Sequence, residues 1–350
     1  MKSSEIVALL RPFKSIINPR ALSPMSRVIE IGPKLRANCE WAHVECAYDA
    51  QQSPVFVDGA SFCAVLDSLN NGEEFKQSLA DNVLSWRCGH AQGKFATVPE
   101  IEMPAYSRRV KAPWRASDEF KKALQLGMLS AGSSALATVG LFGVSIKLAK
   151  QRLAVMSSDN ITISYAEASD AKATGPAVVT LSPDGADLLA TLLQGTTTLE
   201  MDDKAVYVSS PTHKARINQI DAIKSTIGDT LAAFEAAEIQ VKLPRERIAA
   251  FVKRASALAE AKRHTTVWIS AKKGKLTTTF SEGISTTEED YLIEGLDVPD
   301  LAPSQVDASK LARALSSSDV LVLDHVDRNV LVLHGEKPKF RYLIAARKQG

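Results

Sequence analysis

A chain of 350 residues is too long for one hydrophobic core, so two or three domains are expected. With 45% hydrophobic and 23% charged residues it has the balance of a globular protein, which excludes a disordered or fibrous chain. The formal net charge of +2 argues neither for nor against a nucleic-acid partner; what matters is whether the basic residues gather on one surface.

The first residues carry Glu5, Arg11 and Lys14 and no long apolar run, so neither a secretion leader nor a membrane partner is expected. Residues 3–17 place Ile6, Leu9, Leu10, Phe13 and Ile17 on one stripe at helical spacing, with Pro12 expected to end or kink the helix. Cys39, Cys46, Cys63 and Cys88 form no CxxC pair and match no structural zinc spacing, so reduced thiols buried as small core residues of a cytoplasmic protein are expected, with no metal or cofactor. Asp58 precedes a second apolar-periodic run over 59–70, where it serves as an N-cap. Residues 99–113, with Pro99, Pro104 and Pro113, read as a linker. A helix over 117–129 follows, with Phe120, Leu124 and Met128 on one face.

Beyond it the period changes to two at 143–148, 198–201 and 205–208, interrupted by a helix over 185–194 with Asp184 expected as its N-cap. Residues 228–238 lead into a helix over 244–262 with Ile248, Phe251, Val252, Ala255 and Leu258, where Pro244 suits the first turn. Strands are expected at 266–270, 275–278, 320–323 and 330–333, with 272–274 and 324–329 as hairpin connections. The acidic run Glu288-Glu289-Asp290 reads as a solvated turn. Asp307 heads one more short helix, ending at Leu315.

The chain therefore repeats itself. Asp58, Asp184 and Asp307 each open a short apolar helix and recur about every 125 residues, each with another amphipathic helix upstream. Helix, strands, helix, strands, three times over, is an α+β architecture with domains at 1–108, 109–236 and 237–350.

Leu9-Leu10-Arg11-Pro12-Phe13, Leu141-Phe142-Gly143-Val144, the run Leu153-Ala154-Val155-Met156-Ser157-Ser158-Asp159 and the closing strand Phe340-Arg341-Tyr342-Leu343-Ile344, set in three tandem repeats, resemble the bacterial DNA polymerase III beta subunit, the beta sliding clamp. The resemblance covers nearly the whole chain and implies the DNA-clamp fold. It also implies a head-to-tail homodimer closing a six-domain ring around double-stranded DNA, with a DNA polymerase and a clamp loader as partners and no catalysis. Sliding requires phosphate attraction without base readout. The implied DNA contacts are Arg11, Lys14 and Arg20, then Lys121 and Lys122, then Arg247, Lys253 and Arg254, and last Lys310 and Arg313. The second helices of the first two repeats, 59–70 and 185–194, carry no Lys or Arg. The implied partner-peptide pocket takes Leu141, Ser158, Asn160, Ile161, Thr162 and Ile163 together with Leu343, Ile344 and Ala345. This chain has Asn160-Ile161-Thr162-Ile163 where the family has Gly-His-Arg-Leu, and Ala345-Ala346-Arg347-Lys348 where it has Met-Pro-Met-Arg-Leu, so a different peptide specificity is expected, as would suit a dedicated phage or plasmid replication system. The implied dimer contact joins Phe95 and Thr97 to Ala257 and Leu258.

Two other readings compete. An enzyme would need a nucleophile, metal or phosphate-loop motif, and no GxSxG, HExxH, P-loop or GxGxxG occurs, while the six histidines stand singly. A clamp-like scaffold that binds proteins without encircling DNA would suit the second helices that lack cations.

Overall fold

The computed structural model describes all residues except 49, 51–52, 70–71, 105, 107–112, 133–142, 150–151, 160, 170–172, 176–177, 221–239, 243, 260–264, 283, 293–299, 317–319, 324–329, 336–338, 346 and 349–350. In chain order the elements are α1 (Ser3–Lys14), β1 (Val28–Ile31), β2 (Lys34–Asn38), β3 (Ala42–Ala47), β4 (Val55–Asp58), α2 (Gly59–Ser68), β5 (Phe75–Ala80), β6 (Val83–Cys88), β7 (Ala91–Ala96) and β8 (Trp114–Arg115). Next come α3 (Asp118–Gly127), β9 (Val144–Ala149), β10 (Arg152–Ser158), β11 (Thr162–Ser169), β12 (Val178–Leu181), α4 (Pro183–Leu192), β13 (Thr198–Met201), β14 (Ala205–Ser209) and β15 (His213–Asn218). The last stretch holds β16 (Gln240–Lys242), α5 (Arg245–Leu258), β17 (Thr266–Lys272), β18 (Lys275–Glu282), β19 (Ser285–Leu292), β20 (Leu301–Asp307), α6 (Ala308–Leu315), β21 (Val320–Leu323), β22 (Val330–Gly335), β23 (Lys339–Ala345) and β24 (Arg347–Lys348).

These elements form two compact units, Met1–Ser117 with Asp170–Asp221 and Asp118–Ser169 with Ala222–Gly350. In the first unit one sheet runs β4-β1-β2-β3-β15-β14-β13-β8. Its middle is a join between repeats, since β3 of the first repeat pairs antiparallel with β15 of the second, Val44 opposite Ala215. A smaller meander, β5-β6-β7, completes that unit. The second unit repeats the plan, with β9-β10-β11-β23-β22-β21-β16 hydrogen-bonded in that order. Here β11 of the second repeat pairs with β23 of the third, Ile163 opposite Leu343. A further sheet, β19-β18-β17-β20-β24, lies beside it in sequence. Each larger sheet is thus shared between neighbouring repeats rather than owned by one.

The helices form where the apolar periodicity demands burial. Ile6, Leu10 and Phe13 of α1 are fully buried, and α1 packs on α2 and α4. Phe120, Ala123 and Leu124 bury α3 against β10 and β11, while Ile248, Phe251 and Val252 bury α5 against α6, β18 and β19. The Asp58 carboxylate accepts the Ser61 N–H at 2.7 Å, and the Asp307 carboxylate accepts those of Ser309 and Lys310 at 2.9 and 3.0 Å, so both are N-caps as expected. Asp184 is not one. Ser182 caps α4, its hydroxyl accepting from Gly185 N–H at 3.0 Å, because Pro183 takes the first helical position and pushes Asp184 into the first turn.

Helix ends fall inside the expected ranges except at α4, which starts at Pro183, two residues ahead of the expected 185–194. The helix carrying Pro12 runs only to Lys14, and the Ile16 and Ile17 N–H groups turn back to the Phe13 carbonyl. Gly127 ends α3 where the backbone meets β10; a Cβ there would lie 2.5 Å from Val155 Cγ1. Residue 262, the expected end of the fifth helix, lies outside the described residues, as do the connections 228–238 and 324–329 and residues 105 and 107–112 of the linker 99–113.

The hairpin at 272–274 is present: Lys272 faces Lys275, and Lys273 and Gly274 adopt φ of 50° and 74°, the doubly left-handed turn that two-residue hairpins require. Asp81 and Asn82 do the same between β5 and β6, with φ of 47° and 59°. The acidic run is a correction. Glu288, Glu289 and Asp290 lie in β19, opposite Thr279, Thr278 and Thr277, and not in a turn. Its alternate residues face solvent while Tyr291 is buried, so a strand with one wet face tolerates the charges. All four cysteines are free and buried.

Candidate functional site

Sequence proximity alone would not join residues 158–163 to 343–345; the pairing of β11 with β23 does. Thr162 stands opposite Ile344 and Ile163 opposite Leu343, and Ala345 N–H donates to the Ile161 carbonyl at 2.8 Å. Seven of the nine pocket residues therefore converge, while Leu141 and Asn160 lie outside the described residues. Ser158, Thr162, Leu343 and Ile344 are buried, whereas Ile161 is 47% exposed at the tip of the turn between β10 and β11. That mixture gives a hydrogen-bonded floor with an apolar side chain presented above it.

The turn is built by a residue that the sequence reading passed over. Asp159 Oδ1 accepts from Ile161 N–H at 3.1 Å, Thr162 N–H at 2.7 Å and the Thr162 hydroxyl at 2.8 Å. The signal was present as an Asp three residues ahead of a polar–apolar strand, a position from which its carboxylate can close an Asx turn. Its other oxygen pairs with Lys310 of α6. Burial by itself would raise the Asp159 pKa; hydrogen bonds from Lys310 and Thr162 outweigh it and hold the carboxyl below its ordinary range.

Behind this turn sits a buried hydroxyl cluster. Ser157 Oγ and Ser164 Oγ both reach the Gly127 carbonyl at 2.6 Å, at the end of α3 where helical carbonyls lack partners, and Ser130 N–H donates to Ser164 Oγ. Serines on the inner face of two strands had no recognisable sequence signal.

The candidate DNA-contacting cations divide into two sets. Arg11, Arg20, Lys122 and Lys253 are exposed and Lys121 half-buried, and none makes an ion pair among the described residues. The others have partners within the protein. Lys14 pairs with Asp67, Arg254 with Glu289 and Lys310 with Asp159. Arg247 lies over the Tyr291 ring, 5.0 Å from its centre, and Arg313 donates to the Leu129 carbonyl at 2.7 Å. Lys14 and Arg254 remain substantially exposed, with side chains 35% and 48% accessible, while Lys310 is only 20% accessible. Exposed pairs of this kind are worth ~0–1 kcal/mol and exchange readily for a phosphate.

At the candidate dimer contact, Phe95 is buried, edge-on to Phe62 at 5.4 Å and stacked near Trp86 at 6.3 Å, so it belongs to the core of its own meander. The Thr97 hydroxyl donates to the Asn82 carbonyl at 2.7 Å. Ala257 and Leu258, at the end of α5, are exposed.

A cavity of about 340 Å³ in the first unit is lined by Leu9, Pro12, Leu192, Pro211 and His213 and holds none of the residues of the turn at Asp159. His213 contributes no free polar atom there: Nε2 donates to the Leu9 carbonyl at 2.8 Å, and Nδ1 accepts from the Thr212 hydroxyl at 2.7 Å.

No protein-family model matches the chain, and no curated protein matches it in sequence. Solved structures do. The DNA polymerase III beta subunit from Thermotoga maritima superposes with a TM-score of 0.84 at 15% identity, over 100% of this chain and 99% of that one. The beta subunit from Pseudomonas aeruginosa gives 0.81 at 12% identity, over 100% and 99%. The Helicobacter pylori beta clamp bound to a DNA ligase peptide gives 0.77 at 15%, again over 100% and 99%. The chain therefore has the DNA-clamp fold from end to end. Within that fold it resembles the DNA polymerase III beta subunit, at the low identity of a divergent sequence.

Proposed function

We propose that this chain is a DNA sliding clamp, a processivity factor that encircles duplex DNA and tethers a replicative DNA polymerase, and that it is not an enzyme. The observation that carries the reading is the end-to-end match to solved clamps, at TM-scores of 0.84 and 0.81. Domains 1–108, 109–236 and 237–350 then make a head-to-tail dimer of six domains, loaded by a clamp loader and working in the cytoplasm. Heterologous contacts that close on rotation require complementary ends. Strand β7 carries the exposed Lys94, and β19, an edge strand among the described residues, carries Glu288 and Asp290, which supports such a closure together with the exposed Ala257 and Leu258. Arg11, Arg20, Lys121, Lys122 and Lys253 supply the unspecific phosphate attraction, with Lys14, Arg247 and Arg254 beside them. The turn at 159–163 and the strand at 343–345 receive the partner peptide.

The test is solution mass by light scattering, followed by retention on circular and linear DNA. A mass near twice 37.8 kDa and selective retention on circles are expected. A monomer that binds both forms alike would refute the ring. One observation favours a second reading, a protein scaffold that does not encircle DNA: Lys310 and Arg313 are engaged inside the protein, and α2 and α4 bear no cations. A scaffold would show no steep loss of DNA association with salt, whereas a ring holding several phosphates would.

A further inference from the structure

Two cations on α6 point away from the role that sequence position gives them. Lys310 and Arg313 are three residues apart on one helix face, and both reach back to the second repeat within the same unit. Arg313 holds the Leu129 carbonyl just past the end of α3, and Lys310 pairs with Asp159. A phosphate contact must be accessible, and any carboxylate it gives up must be free to turn to water. Lys310 is 20% exposed and its partner carboxylate 11% exposed, so each charge neutralises the other in a largely dehydrated place. Meanwhile the second oxygen of the same carboxylate fixes the backbone N–H groups of Ile161 and Thr162 and the Thr162 hydroxyl. The Ser158 hydroxyl and the Asp159 N–H close the turn on the Thr162 carbonyl, at 2.9 and 3.1 Å. The side chain this assembly presents to solvent is Ile161.

We propose that Lys310 is a positioning residue for partner-peptide binding: through Asp159 it sets the turn that presents Ile161, and it is not a DNA contact. The proposal rests on reading residues 161–163 and 343–345 as the peptide site. Without the ammonium group, Asp159 Oδ2 is left a buried charge with no cation against it, the carboxylate turns toward water, and the N–H groups held by Oδ1 lose their acceptor. The third repeat then governs, through one ion pair, a turn that belongs to the second.

The experiment uses the full-length chain and a fluorescent hexapeptide selected on it from a random library, with Ile161→Asp as the control that the peptide occupies this site. Lys310→Met is expected to bind the probe on the order of tenfold more weakly, within the range for residues that couple to a site without touching its ligand. Amide exchange at Ile161 and Thr162 should accelerate while that of β18 stays unchanged. Lys310→Arg should restore both. Asp159→Asn, which keeps an oxygen for the turn but removes the charge, should reproduce the weakening even if Lys310→Met folds poorly. The log–log salt slope of DNA retention should not change. Equal peptide affinity in Lys310→Met and the native chain would overturn the proposal alone. So would a salt slope reduced by about 0.9, the signature of one lost phosphate contact. A native chain from which no peptide can be selected would instead overturn the peptide-site reading, and the proposal with it.

Discussion

Replacing Gly127 with alanine tests how α3 meets the sheet that carries the turn at Asp159. On propensity alone the change should help, by up to about 1 kcal/mol in a helix interior and less at its last residue. The geometry reverses the sign. The added Cβ would lie 2.5 Å from Val155 Cγ1, 2.6 Å from Val155 Cβ and 2.8 Å from the Val155 carbonyl oxygen. Val155 is fully buried, and its strand is hydrogen-bonded on both sides, opposite Ile146 and Ala166, so it has nowhere to retreat. The end of α3 must lift instead, drawing the Gly127 carbonyl away from the Ser157 and Ser164 hydroxyls that now reach it at 2.6 Å. Overpacking of this kind costs about 1–3 kcal/mol and a weakened buried hydrogen bond about 1 kcal/mol more. Net destabilisation of about 2–3 kcal/mol is expected, read as a lower urea midpoint by circular dichroism at unchanged slope. Gly72→Ala is the control, since a Cβ there meets nothing within 4 Å, and its effect should stay within about 0.5 kcal/mol. A Gly127→Ala chain as stable as the native one would refute the steric argument.

Two further outcomes concern titration and reactivity. His334 is pushed down to about 4 by burial and by the charges of Arg341 and Lys339, and burial lowers His43 and His213 as well. A base whose folded pKa is depressed stabilises the fold fully above its unfolded value near 6.5 and loses that contribution as pH falls through the folded pKa. Denaturation midpoints should therefore fall from pH 6.5 toward 4, and His334→Gln should flatten the curve in that window; identical curves would remove His334 as a cause. Burial raises the Cys46 thiol to about 12 and the Cys63 thiol to about 11, so at pH 8 the native chain should react slowly with a thiol reagent and the urea-unfolded chain at once. Rapid labelling of all four cysteines in the native state would contradict their burial.

Local chemistry was legible in the sequence wherever neighbours in the chain decide it. The buried stripes of α1, α3 and α5 follow from apolar spacing, the caps at Asp58 and Asp307 from a carboxylate one residue ahead of a helix, and the hairpin at Lys273 from a two-residue turn. The threefold repeat was legible too, because each copy carries the same local signals. Where two local signals competed, reading by type alone failed: Pro183 moved the cap of α4 to Ser182, and strand pairing with Thr277–Thr279 drew the acidic run into β19. What no stretch of chain could settle is partnership across distance. The pairing of β3 with β15 and of β11 with β23, the approach of α3 to Val155 and the engagement of Lys310 by Asp159 each join residues separated by tens to hundreds of positions. A lysine on a helix reads the same in sequence whether it faces solvent or a carboxylate. Only the tertiary structure decides, because the identity of its partner depends on which surfaces the buried apolar faces bring together.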